Sequence, residues 1–429
     1  MNGSRDVHAS SSVTKIVILT GASLSWNPRA LKEAMTLAYA GFNIVVYGAN
    51  SNPSRFQTDQ ALARRHGFRF ESAIPMSRLA LANRLRWTWS RLCGRLGREF
   101  FRILRIENRW QLGSLISALL SQAVAERADY YIVHLEQAAW VGRRLLEMGK
   151  RVGVDIEDWY SEDLLPDARG QRPLGLLRAL EADLLRRGCH ATCPSRAMSD
   201  ALAKSYGCLS PVVIYNAFRW ADRETLDGEF KDRRDLRIPS IHWFSQTIGP
   251  HRGLEDLFAA LPFIAHEVQI HLRGNPVPEL DSWLSKHIPV GWHDRVFVHS
   301  LVPHEELLSR ISEHDIGFAG EMKYCKNKDL TISNKILHYL LAGLAVVASN
   351  TTGQREVAAK TQDAVYLYPC GDFLALSQRL NALLESPERM ERAKFAALRS
   401  AEQTFCWERQ EDALLGSIRC ALDSAGSMP

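Results

Sequence analysis

The segment 330–357 constrains the fold most, because a capped helix, an apolar strand and a glycine turn follow one another in a short unit. Ser333 is typical of an N-cap, apolar residues then recur at helical spacing, and Gly343 predicts the helix end. A buried parallel strand is predicted over 344–348. The start of such a helix attracts phosphate, and Lys335 adds a full positive charge there. An ordinary αβ scaffold unit is the alternative interpretation.

Strand and helix patterns alternate along the rest of the chain in two similar sets. The predicted strands of the first set cover 15–19, 42–47, 130–134, 151–155 and 191–192, and those of the second set cover 241–244, 268–273, 295–299 and 316–318. Such alternation predicts an α/β protein with parallel sheets, whose ligands lie at the carboxyl ends of the strands. We therefore expect two Rossmann-like domains that face a central cleft.

The expected boundaries follow from composition. The polar segment 219–237 predicts a linker between a first domain, 1–218, and a second domain, 238–404. The final segment, 405–429, carries a tryptophan and a helical pattern.

Positive charge is concentrated in the segment 84–110, where eight arginines accompany two glutamates. On a helix, most of these arginines fall in a sector of roughly 80°, and Trp89, Leu96 and Phe100 fall on the opposite half. The pattern is typical of a helix in a membrane interface, with arginines on anionic head groups. One alternative is a surface helix that packs its apolar side on the core. Nucleic-acid binding is not expected, since no further basic and aromatic surface accompanies the helix.

The motif around Lys335 resembles the family-four retaining glycosyltransferases of the GT-B fold, also described as glycosyl transferases group 1. The matching residues are Asn334, Lys335, Tyr339, Leu340, Gly343, Val346, Val347, Ala348 and Ser349. The resemblance extends to the amino end, where Asn27, Pro28 and Arg29 lead into a helix. It implies two domains, a last helix that crosses back onto the first domain, and sugar transfer with retention of configuration.

The resemblance also implies a donor site on the second domain. A nucleoside diphosphate would contact the helix start at Ser333, Asn334 and Lys335, with its ribose near His338. A second loop, 243–257, would contribute further donor contacts, for which the candidate residues are Gln246, Gly249, Arg252 and Gly253. The arginine of this loop can bind phosphate through two N–H groups, and the glycines allow close backbone approach.

Two family glutamates are replaced in this chain, one by His338 and the other by Leu330. An imidazole can still exchange a hydrogen bond with a ribose hydroxyl. The loss of both carboxylates nevertheless suggests an alternative function, a non-catalytic GT-B scaffold in membrane polysaccharide assembly.

The loop after strand 151–155 places five carboxylates at the carboxyl end of a strand. Glu157 stands where the family has a histidine, so Glu157 and His134 are the candidate catalytic residues, and Arg29 and Glu162 are candidates for acceptor binding. Clustered acids on a loop are also often merely solvated, and a lone histidine is often a satisfied buried one. Asp155 with Glu157 could hold Mg²⁺ or Mn²⁺, but cations at the diphosphate predict a metal-independent enzyme without a cofactor.

Composition limits the location and the partners. The net charge of +5 is too small to imply nucleic acid, the eight cysteines lack paired metal spacing, and the first 13 residues lack the apolar core of a secretory signal. We expect a cytoplasmic protein, peripheral on the inner face of the cell membrane. Its expected partners are a nucleotide-sugar donor, a saccharide or lipid-linked saccharide acceptor, and an anionic membrane surface contacted through 84–110.

Overall fold

A computed structural model describes residues 13–48, 52–74, 81–233 and 235–423 of the chain. The strands of the first domain are β1 (Lys15–Thr20), β2 (Asn43–Gly48), β3 (Arg69–Ser72), β4 (Tyr130–His134), β5 (Val152–Asp155), β6 (His190–Cys193) and β7 (Val212–Val213). Within the described ranges they form a seven-stranded parallel sheet in the order β3-β2-β1-β4-β5-β6-β7.

The strands of the second domain are β8 (Ser240–Ile248), β9 (Gln269–Pro276), β10 (Val296–His299), β11 (Ile316–Ala319), β12 (Ala345–Ser349) and β13 (Val365–Tyr368). They form a second parallel sheet, six-stranded among the described residues, in the order β10-β9-β8-β11-β12-β13. In both sheets the order of successive strands reverses beside the first strand, between β1 and β4 and between β8 and β11. The crevice at such a switch point is where ligands bind. The predicted α/β, two-domain GT-B architecture is confirmed.

Helices connect the strands and cover both faces of each sheet. Those of the first domain are α1 (Pro28–Tyr39), α2 (Pro53–Arg65), α3 (Leu81–Leu104), α4 (Ile116–Glu126), α5 (Leu135–Glu147), α6 (Pro166–Arg169), α7 (Leu174–Arg187) and α8 (Arg196–Tyr206). Those that follow are α9 (Leu254–Ala260), α10 (Leu280–His287), α11 (His304–Ser312), α12 (Lys326–Leu330), α13 (Asn334–Ala342), α14 (Thr352–Lys360), α15 (Phe373–Leu384), α16 (Pro387–Gln403) and α17 (Glu408–Asp423). Within the described ranges, none of these helices combines the length and the apolar character that a membrane crossing needs.

The core of the first domain lies on both faces of its sheet. Along β1, Val17 and Leu19 point into one apolar cluster, while Ile16 and Ile18 point into the other, as the two-residue period of a strand requires. Strands that are buried on both faces read as continuous apolar runs, which is why β1 is recognisable from sequence.

The C-terminal helix α17 packs on the first domain, as the resemblance implied. Leu414 and Ile418 lie in the cluster behind β1, and the indole Nε1 of Trp407 donates to Thr36 Oγ1 on α1 at 2.9 Å. The chain therefore crosses the cleft twice, and both crossings hold the two domains together.

The segment 219–237 is not a free linker. The Arg233 guanidinium lies 3.0 Å from an Asp315 carboxylate oxygen, and Asp232 pairs with Arg273 on β9. These contacts fasten the segment to the second domain.

The basic helix is shorter than predicted. It ends at Leu104, because Arg105 adopts a left-handed conformation with φ of 55°. Arg109 lies beyond this end, and its guanidinium stacks on the rings of Trp110 and Trp140.

Candidate active site

A buried ion pair anchors the first-domain side of the cleft. Arg29, in the first turn of α1, donates to both carboxylate oxygens of Asp155 at the end of β5, and its Nη1 donates to the Ile214 carbonyl. The pKa of Asp155 is lowered: burial raises it, but Arg29 and then His134 lower it more. Because Arg29 is 3% exposed, its contacts are within the protein rather than with the cleft.

His134, the last residue of β4, lies between two carboxylates. Its Nε2 is 2.5 Å from Glu33 Oε2 and its Nδ1 is 2.8 Å from Glu157 Oε1. Burial lowers the pKa of His134, but Glu33, Glu157 and Asp155 together raise it to about 10. Both ring nitrogens are therefore protonated at neutral pH and donate to the two carboxylates. The side chain is fully buried, so it can act on a substrate only through Glu157.

Glu157 is the member of this cluster that reaches the cleft, with a side chain 17% exposed against 4% or less for Glu33, Asp155 and Arg29. Its Oε1 accepts from His134 and also from Asn27 Nδ2 at 2.8 Å. The Asn27 side chain also caps α1, since its Oδ1 accepts from the Ala30 N–H at 3.0 Å. The sequence indicates that Asn27 leads into this helix, but it does not indicate the contact with Glu157.

Glu33, His134 and Asp155 lie close enough together to surround a metal ion. However, Arg29 binds both oxygens of Asp155, and both nitrogens of His134 are bound to carboxylates. A metal ion would have to displace these partners. The three side chains therefore fit a hydrogen-bonded cluster better than a metal site.

The acidic loop after β5 contacts the second domain. The Asn327 side chain on α12 accepts from the Trp159 N–H at 2.9 Å and donates to Asp158 at 2.8 Å and to Asp163 at 3.2 Å. Burial raises the pKa of Asp158 to about 6. Glu162, a candidate for acceptor binding, pairs instead with Arg169 and Arg178. These acids are therefore bound within the protein rather than simply solvated.

On the second domain, α13 begins as its sequence predicts. Ser333 is the N-cap, and Gly343 ends the helix in a left-handed conformation. Lys335 Nζ lies 2.6 Å from Glu321 Oε1, and Ser333 Oγ donates to the same oxygen at 2.7 Å. Burial raises the pKa of Glu321, but Lys335 lowers it more, so the side chain is an anion.

Glu321 was not a candidate from the sequence. It follows β11 by two residues, and no local pattern distinguishes it from other surface acids. Its carboxylate accepts from the N-cap side chain and from Lys335, at the end of a helix that stabilises anions. Glu321 is thus an internal anion beside Lys335.

His338, which stands in place of a family glutamate, has a defined hydrogen-bonding state. Its pKa is lowered to about 3, chiefly by burial, so the ring is neutral. Nδ1 lies 3.1 Å from the Asn334 carbonyl oxygen, to which it donates, and this leaves Nε2 as an acceptor. The ring packs against Phe218, with 3.5 Å between ring centroids.

Leu330, at the other replaced position, is 9% exposed and belongs to the apolar cluster of the first domain. Its carbonyl oxygen accepts from Ser195 Oγ at 2.6 Å. This position therefore holds the domains together.

The glycine-rich loop lies beside Glu321. Gly253 has φ of 80°, and a Cβ there would lie 2.3 Å from the Gly320 carbonyl oxygen, so only glycine allows this approach. Arg252 is exposed and donates to Ser245 Oγ at 3.0 Å, while Gln246 is exposed near the end of β8. Gly249 packs against Val277. Arg252 is thus available to an incoming anion.

The two sides of the cleft meet through Lys32 and Asn216. Lys32 Nζ donates to Asn216 Oδ1 at 2.9 Å, and Asn216 Nδ2 donates to Asn334 Oδ1 at 3.1 Å. Burial, followed by the charge of Arg29, lowers the pKa of Lys32 to about 7. The start of α13 therefore faces the start of α1, with Glu157 on the same side as Lys32.

The fold and this cleft define a two-domain GT-B protein, and comparison with solved structures agrees. HepE from Anabaena in complex with UDP-glucose shares 16% identity with a TM-score of 0.66, over 94% of this chain and 99% of that chain. Sucrose-phosphate synthase from Thermosynechococcus elongatus shares 14% identity with a TM-score of 0.67, over 96% and 100% of the two chains. WaaG, a glycosyltransferase involved in lipopolysaccharide biosynthesis, shares 12% identity with a TM-score of 0.57, over 94% and 98%.

Residues 239–386 match the family model described as glycosyl transferases group 1. The resemblance to glycosyl transferases group 1 is confirmed for this segment of the second domain. No curated protein matches the sequence significantly.

Proposed function

We propose that this chain transfers a sugar from a nucleoside-diphosphate donor to a hydroxyl of a saccharide or lipid-linked saccharide, with retention of configuration and without a metal ion. The observation that carries the proposal is the approach of two sites across the cleft. The capped start of α13, with Lys335, faces Asn216 and Lys32, and Glu157 lies on the same side as Lys32.

The donor would lie on the second domain. Its diphosphate would contact Ser333, Asn334, Lys335 and Arg252, and a ribose hydroxyl would donate to Nε2 of the neutral His338. As the bond to the sugar breaks, negative charge grows on the leaving diphosphate, and these cations with the helix N–H groups would stabilise it.

The acceptor would approach from the first domain. Glu157 is the exposed carboxylate there and would orient the acceptor hydroxyl or stabilise positive charge on the sugar. His134 would act as a positioning residue, because it donates to Glu157 and is itself held by Glu33. Arg29 would support the same loop through Asp155.

We place this activity in cell-surface polysaccharide or glycoconjugate synthesis, by a cytoplasmic protein that is peripheral on the inner face of the membrane. A lipid-linked acceptor is supported by the basic helix α3. The structures of HepE with UDP and UDP-glucose support a nucleotide sugar as the donor class.

The test is nucleotide-dependent thermal stabilisation followed by sugar turnover. A nucleoside diphosphate at 100 times its Kd should stabilise the protein by about 2.7 kcal/mol. Arg252→Ala should weaken this stabilisation, whereas Lys286→Ala, an exposed lysine on α10, should leave it unchanged. If no nucleoside diphosphate or nucleotide sugar stabilises the protein, the donor site is misplaced.

A non-catalytic scaffold is the second candidate, and the position of Leu330 favours it. A leucine side chain offers no hydrogen bond to a nucleotide sugar, and that of Leu330 packs into the apolar cluster of the first domain. Nucleotide binding without sugar turnover, for every acceptor extract offered, would support this candidate.

A further inference from the structure

Among the residues that the structure describes, none covers the apolar face of helix α3. The large apolar side chains of the helix and its end are 45–70% exposed, namely Leu85, Trp89, Leu92, Leu96, Phe100, Ile103, Leu104 and Ile106. Monomeric proteins rarely expose so many large apolar side chains together, and such patches mark interaction sites. The surface-helix alternative, in which this side packs on the core, is therefore wrong.

The helix is attached through a different sector. Gly94, Gly97 and Phe101 are buried, and a Cβ on Gly97 would lie 2.5 Å from Trp110 Cβ and 2.7 Å from Asn108 Oδ1. The Asn108 side chain also donates to the Gly97 carbonyl oxygen at 3.0 Å. The helix therefore sits on the first domain through a strip that contains two glycines and Phe101, and its apolar face and arginine sector stay exposed among the described residues.

Three sectors result when the helix is projected at about 100° per residue. The attachment strip, the apolar face and the sector of Arg91, Arg95, Arg98 and Arg102 lie roughly a third of a turn apart. All four arginines are exposed, and within the described residues Arg102 is paired with Glu99 at 2.7 Å. The side chain of Arg84 is not among those described.

We propose that this surface, defined as the apolar face of α3 with its arginine sector, docks on an anionic lipid bilayer. Apolar side chains would enter the acyl boundary, and the neighbouring arginines would contact anionic head groups. The surface holds the first domain, with Glu157, near the membrane. The link between docking and catalysis rests on the proposed function, because a docked first domain would meet a lipid-linked acceptor at Glu157.

The charge and the apolar character of this surface together distinguish a bilayer from a second copy of the chain or a nucleic acid. In a pair of identical chains joined by this face, the arginine sectors would approach each other and repel. A nucleic acid would satisfy the arginines but leave Trp89, Phe100 and Ile103 in water. An anionic bilayer is the partner that satisfies both faces at once.

The experiment is co-sedimentation of the full chain with vesicles of phosphatidylcholine alone or with phosphatidylglycerol. We expect at least tenfold stronger binding to the anionic vesicles, which weakens as salt shortens the Debye length from about 10 Å at 0.1 M to about 3 Å at 1 M. Quenching of tryptophan fluorescence by brominated lipid should fall in Trp89→Phe, because Trp89 is 65% exposed on the inserting face.

Matched variants separate the two contributions. Arg95→Glu/Arg98→Glu/Arg102→Glu should lose at least tenfold in binding, whereas Arg379→Glu/Arg392→Glu/Arg399→Glu, the same charge change on exposed arginines of α15 and α16, should bind like wild type. Trp89→Ser/Phe100→Ser should lose binding severalfold, and Phe395→Ser, equally exposed on α16, should not.

Three results would overturn the docking surface. The first is that the wild type does not bind vesicles, and the second is that both triple arginine variants lose binding equally. The third is that the chain does not bind vesicles but associates with itself or with RNA, and that the α3 variants abolish this association. Nucleotide-induced thermal stabilisation, measured without vesicles, is scored separately. A chain that binds nucleotide but not vesicles refutes the docking surface alone, and the converse result refutes the donor site alone.

Discussion

Lys335 and Glu321 should act in opposite directions on nucleotide binding. Lys335 Nζ and Ser333 Oγ are both bound to one Glu321 oxygen, at 2.6 and 2.7 Å. A diphosphate at the start of α13 needs the same two donors, so it must displace the carboxylate. Lys335→Ala removes a donor to the phosphate, whereas Glu321→Gln weakens the internal competitor.

The magnitudes follow from hydrogen-bond strengths. A bond to a charged group contributes about 1.5–3 kcal/mol, so Lys335→Ala should raise the Kd for a nucleoside diphosphate roughly 10–150-fold. In Glu321→Gln the competing bond becomes neutral and about 1–1.5 kcal/mol weaker, so the Kd should fall roughly 5–10-fold.

Isothermal titration calorimetry with UDP, GDP, ADP and CDP measures both effects, with Lys286→Ala as the matched lysine control. Urea denaturation should show that each variant remains folded. A Kd for Lys335→Ala within twofold of wild type would remove Lys335 from the donor site. Weaker binding by Glu321→Gln would show that the carboxylate positions the lysine rather than competing with phosphate.

Three further predictions concern the first domain and the metal. Arg29→Ala leaves Asp155 buried without its partner, so the free energy of unfolding should fall by about 3–5 kcal/mol, or the Tm by roughly 6–20 °C in calorimetry. Arg29→Met/Asp155→Leu should recover much of this loss. A Tm shift under about 2 °C for Arg29→Ala would contradict the role of the buried pair. Because the pKa of Lys32 is lowered to about 7, the folded protein binds that proton less tightly than the unfolded chain, and stability should rise with pH above 7 through this group. The free energy of unfolding of Lys32→Met minus that of wild type, measured by urea denaturation, should therefore fall by about 1.4 kcal/mol per pH unit between pH 7 and 9. A constant difference would show that Lys32 titrates normally. Transferase activity should survive excess EDTA, and its loss with rescue by Mn²⁺ would favour a metal at Asp155 instead.

Local signals predicted the elements that begin and end on distinctive residues. The cap at Ser333, the end at Gly343 and the start of α1 at Asn27 with Pro28 all lie where the sequence indicates. Their causes act within one turn of helix, since a cap side chain meets backbone N–H groups two or three residues away. The strands in the centre of each sheet were predicted correctly for a different reason, because burial on both faces leaves a continuous apolar run.

Strands β3, β7 and β13 were missed. β3 and β13 mix exposed or half-buried residues with buried ones, and β7 has two residues. These three edge strands lack a continuous apolar signal, so pairing with a neighbour, rather than their own composition, makes them strands.

The sequence by itself determined the α/β class, the two domains, the phosphate-attracting helix and the basic amphipathic segment, because each depends on residue periodicity or on contacts a few positions apart. Tertiary structure alone decided that Glu321 meets Lys335, that His134 is held between Glu33 and Glu157, and that Leu330 packs into the other domain. These partners lie on different elements of the fold, so no local pattern connects them. Periodicity also distinguished two faces of α3, whereas the fold created a third. Gly94 and Gly97 let a neighbouring loop approach the backbone, and so the apolar face was left for another surface.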